Sequence, residues 1–142
     1  MLEIRKHRFV LSFVLATALF ALAEAYPAAQ GTIGSILGTV SDSSGSVIPG
    51  ATVTARNTGT GAIQLATTDA QGRYRLETIV PAEYPGRARH IHVKVQPPKG
   101  RVLTTQLYFP NEPSNQRDGI FRPELVMQMK ERGQGAYDFV VG

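Results

Sequence analysis

The chain has 142 residues, a formal charge of +4 and no cysteine. Disulfides are therefore excluded, and stability rests on a packed core, assisted by a bound metal or by oligomerisation. The basic residues are spread along the chain without a Lys/Arg block or interleaved aromatics, which argues against nucleic acid as a partner.

The first 25 residues read as a secretory signal peptide. Arg5, Lys6 and Arg8 precede the apolar run FVLSFVLATALFALA at 9–23, and Ala23-Glu24-Ala25 supplies the small-x-small cleavage pattern. The run falls short of the roughly 20 residues that span a bilayer, so no membrane partner is expected after cleavage. Removal of 1–25 takes away three basic and two acidic side chains and leaves a charge of +3. The expected location is exported, periplasmic or extracellular.

The remainder reads as strands punctuated by glycine and proline. Strands are expected at 35–42 (SILGTVSD), 51–56 (ATVTAR), 62–68 (AIQLATT) and 73–79 (RYRLETI). In the second, Ala51, Val53 and Ala55 share one face. A Pro-rich connection leads to strands at 89–96 (RHIHVKVQ) and 101–109 (RVLTTQLYF), then a polar loop. PELVMQMKER at 123–132 carries the one helical signal, with Pro123 at its first position and Leu125, Val126 and Met129 as its buried stripe. AYDFVV at 136–141 reads as the last strand. The fold class predicted is all-β, an antiparallel β-sandwich with one short C-terminal helix.

Within the strand at 89–96, side chains two apart share a face. Ile91, Val93 and Val95 fall on one side, His90, His92 and Lys94 on the other. The two imidazoles stand side by side, either on a wet strand face or as ligands of one metal ion.

Two resemblances bear on that choice. G-x-V-x-D-x-x-G at 38–45, I-P-G-A-x-V at 48–53 and T-x-D-x-x-G-x-Y at 67–74 resemble the carboxypeptidase regulatory-like fold, which implies a small β-sandwich and no chemistry. YPGRARHIHVKV with LTTQLYFPNEP and RDGIF, over about residues 69–129, resembles the C-terminal part of the intradiol ring-cleavage dioxygenases. One sandwich domain over 32–142 is expected, regulatory-like over 32–76 and dioxygenase-like over 69–142. The second resemblance implies non-haem Fe(III), with Tyr84, His90 and His92 as metal ligands. Arg87 and Gln106 match the side chains that line the substrate pocket and meet charge developing on the ring. The implied reaction inserts O2 into a catechol and opens the ring to a muconate-type diacid. Its partners are the small-molecule catechol and O2, with a homo-oligomer left open.

The chain departs from that family's pattern upstream. The family uses an earlier tyrosine ligand, and no Tyr, His, Asp or Glu occurs between Asp42 and Asp69. The fourth protein ligand is then Tyr74, Tyr108, a residue of another subunit, or none. Tyr74 itself reads as a structural core aromatic. Two function classes remain: a small exported dioxygenase, or a non-catalytic regulatory-like sandwich with an incomplete metal site.

Overall fold

The computed structural model describes residues 33–83, 85–130 and 133–142. The leader predicted over 1–25 and the side chain of Tyr84 lie outside the described residues. Among the described residues nine strands follow in order: β1 (Ile33–Asp42), β2 (Thr52–Arg56), β3 (Ile63–Thr67), β4 (Arg73–Ile79), β5 (His90–Gln96), β6 (Leu103–Tyr108), β7 (Gln128–Met129), β8 (Gln134–Ala136) and β9 (Phe139–Val141). They form two sheets, as an all-β sandwich requires. One runs β4-β1-β8-β7, with β9 also paired to β1; the other runs β3-β2-β5-β6.

The alternation in the sequence builds the core between them. From one sheet come Ile36, Val40, Tyr74, Leu76, Phe139 and Val141, and from the other Val53, Ala55, Ile91, Val93, Val95 and Leu107. In the second sheet the ladder pairs Ala55 with Val93 and Val53 with Val95, so the predicted apolar faces of β2 and β5 coincide. Their outward faces are thereby fixed as well, because neighbours along a strand alternate sides.

Three expectations are corrected. Pairing is not antiparallel throughout: β8 and β9 lie parallel to β1, making the first sheet mixed. The strand predicted at 136–141 is split at Tyr137 and Asp138. There the Asp138 carboxylate accepts from the backbone N–H and hydroxyl of Thr39, at 2.7 and 2.8 Å, in place of continuous pairing.

The helix predicted over 123–132 is absent from 123–130, the described part of that segment. A 3-10 turn, Pro123–Leu125, ends at Val126, which is extended with ψ 125. Val126 bridges Tyr108, and the Met127 N–H donates to the Tyr108 carbonyl at 3.0 Å. Met127 is the buried side chain here, 2% exposed, while Met129 is 39% exposed, which reverses the expected stripe. Helix propensity in this segment amounts to tenths of a kcal/mol per residue and yields to a sheet edge and a core site.

Gly38 is the tightest point of the first sheet. It faces Tyr74 across the β1–β4 ladder. A side chain there would overlap the Tyr137 carbonyl and press on the Tyr74 ring. That same carbonyl accepts the Tyr74 hydroxyl at 2.7 Å, and the ring packs 5.7 Å from Phe139. Gly38→Ala must push backbone against backbone, and should lower stability by about 3 kcal/mol in denaturant titrations. Gly119→Ala, where an added carbon meets nothing within 4 Å, is the control expected to change little; equal losses in both variants would refute this account of Gly38.

Candidate metal and substrate site

The site lies on the outward face of the second sheet. Antiparallel pairing of β5 and β6 sets His90 opposite Tyr108 and His92 opposite Gln106, so four polar side chains share one patch. The two imidazoles converge: their Nε2 atoms are 3.1 Å apart and their ring centroids 4.9 Å. His90 is buried although it belongs to the outward face, and His92 is half-buried.

The Ala88 carbonyl lies 2.6 Å from His90 Nδ1. A carbonyl oxygen only accepts, so in the neutral ring the proton sits on Nδ1 and the Nε2 lone pair faces His92. A carbonyl holding the far nitrogen is the usual arrangement of a ligating histidine. The His92 pKa is lowered, first by burial, then by His90, Arg87 and Arg56. Its ring is therefore neutral near pH 7, the form that binds metals. Two nitrogens each ~2.1 Å from one cation at a right angle stand ~3 Å apart. The pair meets that requirement as it stands.

Arg87 is positioned by two acceptors. Its Nε donates to Asp118 Oδ2 at 3.0 Å and its terminal amine to Gln106 Oε1 at 3.0 Å. The Gln106 amide nitrogen then donates to the Tyr108 hydroxyl at 2.5 Å, and that hydroxyl donates to the Ile120 carbonyl at 3.0 Å. Burial raises the Tyr108 pKa above its ordinary value, with Asp118 adding to the effect. The phenol stays protonated and occupied in the network. Tyr74 points into the core from the other sheet, and its pKa is also raised by burial. Both hydroxyls are directed to backbone carbonyls, Tyr74 to that of Tyr137 and Tyr108 to that of Ile120.

The loop that carries Tyr84 is held on both flanks. Before it, Glu83 accepts from the Ser114 hydroxyl at 2.9 Å; after it, Pro85-Gly86 turns with Gly86 at φ 83 before Arg87 meets Asp118. Only glycine adopts that turn position without strain. A cavity of about 420 Å3 opens beside this loop, lined by Glu83, Arg87, Ser114, Arg117 and Asp118 among others.

Residues 35–107 match the carboxypeptidase regulatory-like domain family, a span reaching through the histidine strand into β6. The dioxygenase domain of a dioxygenase–carbohydrate-binding protein fusion from Streptomyces sp. SirexAA-E is 37% identical, with TM-score 0.72 over 82% of this chain and 84% of that one. The chain belongs to the carboxypeptidase regulatory-like family and to the intradiol ring-cleavage dioxygenase superfamily. The protocatechuate 3,4-dioxygenase beta chain of Burkholderia cepacia is 43% identical over 39% of this chain. That match spans only 27% of the Burkholderia protein, so this chain covers about a quarter of its curated relative. Catechol 1,2-dioxygenase from Acinetobacter sp. ADP1 shares the fold, with TM-score 0.67 and 21% identity over 81% of this chain and 54% of that one.

Of the residues singled out in the superfamily motif, His90, His92, Arg87 and Gln106 come together on one patch, and Tyr84 lies outside the described residues. Sequence reasoning missed what Asp118 does. It sits inside the RDGIF motif, but 31 residues from Arg87, and nothing in the spacing pairs the two. Its Oδ2 also accepts the Ala88 N–H at 3.0 Å, and its Oδ1 the Ile120 N–H at 3.0 Å. Burial would raise the Asp118 pKa, but those two N–H donors and the Arg87 guanidinium outweigh it and hold the carboxyl below its ordinary value.

A depressed carboxyl contributes stability above its unfolded pKa, ~3.9, and loses it as pH falls through the lower folded value. Asp118→Asn should therefore cost about 3 kcal/mol at pH 7. The gap between wild type and variant should narrow as urea titrations move from pH 5 to pH 3. A gap that stays constant over that range would rule out an ionised Asp118 as the anchor.

Proposed function

We propose that the protein is a small ferric, non-haem dioxygenase that opens catechol rings in the intradiol sense. The observation that carries this reading is the convergence of His90 and His92 Nε2 at 3.1 Å, with His90 Nδ1 tied to a carbonyl. With the Tyr84 phenolate, this donor set is two neutral nitrogens and one anionic oxygen, which suits a hard ferric cation and leaves positions open for a chelating substrate. Tyr74 and Tyr108 are engaged elsewhere, so solvent or a partner subunit completes the shell.

Bound ferric iron would supply Lewis acidity toward both catechol oxygens and accept electron density from the ring. The residues of this chain do the rest. The Ala88 carbonyl holds the His90 ring in one tautomer. The loop contacts of Glu83 and Arg87 hold the segment around Tyr84 against residues 114–118. Arg87, oriented by Asp118 and Gln106, presents its guanidinium to negative charge that develops as the ring opens, and needs no rearrangement to do so. The bond between the two hydroxyl-bearing carbons breaks, and both atoms of O2 end in the two carboxyl groups of the muconate-type product. The apolar leader over 1–25 supports export, so the substrate would be met outside the cytoplasm.

The family match over 35–107 favours a second reading, a regulatory-like sandwich that binds without turnover. One experiment separates the two. Iron-loaded protein should be coloured by a tyrosinate-to-Fe(III) band, shift that band with catechol, and release product absorbing in the ultraviolet. Tyr84→Phe should lose the band and His92→Ala should lose the iron. Arg87→Gln should keep the iron and lose about a hundredfold in kcat. Protein that is colourless and sheds its iron on desalting sinks the dioxygenase reading; coloured, substrate-shifted protein without product favours the second.

A further inference from the structure

The histidine face continues beyond His92 onto two strands that the chemistry above does not use. The β2–β5 ladder sets Arg56 opposite His92 and Thr54 opposite Lys94. The β2–β3 ladder sets Ile63 opposite Arg56 and Leu65 opposite Thr54. Directly opposed residues share a face with Cβ atoms ~5 Å apart, so Arg56 stands as near to His92 as a cross-strand neighbour can. A cavity of about 320 Å3 lies over these strands, lined by Thr54, Arg56, Ile63, His92, Lys94 and Thr104 among others.

Its charge is one-sided. No carboxylate lines it, and neither Arg56 nor Lys94 forms an ion pair among the described residues. Arg56 is also the single charged residue between Asp42 and Asp69. The cavity on the Arg87 side differs, since Glu83 and Asp118 line it. Ile63 lines the cationic cavity while 56% exposed, which leaves a large apolar side chain for an aromatic ring to contact. A cavity of ~150 Å3 already accommodates a benzene ring, so this one has room for a ring with a substituent.

We propose that this groove is the substituent subsite of the catechol site, and that Arg56, with Lys94 beside it, selects rings bearing a carboxylate. The inference rests on the dioxygenase reading and names the substrate class for it. The ring hydroxyls lie toward the histidine pair and the substituent reaches the Arg56 guanidinium, with Ile63 on the next strand as the apolar far wall. That group's planar fork pairs with both carboxylate oxygens, while Lys94 adds a point charge. An uncharged substituent gains neither and leaves both cations to water.

The test measures binding without turnover. Iron-loaded full-length protein, kept anaerobic, is titrated by calorimetry with 3,4-dihydroxybenzoate and with 3,4-dihydroxybenzamide, which has the same shape and no charge. Wild type should bind the benzoate about tenfold more tightly. Arg56→Gln should bring the two within about twofold by weakening the benzoate alone, and Arg56→Lys should recover part of the preference. Arg56 is exposed, so its variants should melt with wild type. Equal affinities in wild type, or a preference that survives Arg56→Gln, overturns the subsite while leaving the dioxygenase reading intact. Failure of both ligands to bind the loaded protein overturns that reading, and the subsite with it.

Discussion

The buried carboxylate of Asp118 is the contact on which the rest of the site depends. One of its oxygens accepts both the Arg87 Nε and the Ala88 N–H. The Ala88 carbonyl, at the other end of the same residue, receives the His90 ring. The His90 ring and the guanidinium are thus set from a single point. Burying a carboxylate costs several kcal/mol, and the cost is offset only where its lone pairs are filled. Here three donors fill them, and two belong to the loop that follows Tyr84. The expense of the burial is therefore also the means of fixing that loop.

The second constraint is register. β5 is shared by the core and the site, with Ile91, Val93 and Val95 sealed below and His90 and His92 above. A slip of one residue would exchange the two sets and destroy both at once. Because the core fixes the register, the histidines sit on a rigid strand rather than a loop, and their Nε2 atoms need no search to converge. The same argument extends sideways to Gln106 on β6 and Arg56 on β2, each locked opposite His92.

This explains which features were legible in the sequence. Strand alternation is local, so the faces of β2 and β5 could be read from it, and the H-x-H pair with them. The partners of those faces depend on distant chain segments. Asp118 meets Arg87 across 31 residues, and Arg56 meets His92 only once β2 pairs with β5. The segment 123–132 was misread for a related reason. Its local preference is helical, but the open positions beside Tyr108 and above Gly135 draw Val126 and Met127 into an extended path. Gly135 leaves the space that the Met127 sulfur occupies, a complementarity that no window of local sequence displays.

The upstream stretch from 43 to 68 looks, in sequence, like a deficit, because it holds no Tyr, His, Asp or Glu. In the fold its composition has a different consequence. It contributes β2 and β3 to the histidine face, and it brings no carboxylate with them. Arg56 therefore stands beside His92 uncompensated, whereas Arg87 on the other flank is neutralised by Asp118. A neutralised guanidinium is suited to charge that appears during a reaction, since it has little pull on a resting anion. An uncompensated one attracts an anion already present on the ligand. The two arginines flank one imidazole pair with different electrostatic tasks, and what separates them is a single buried aspartate.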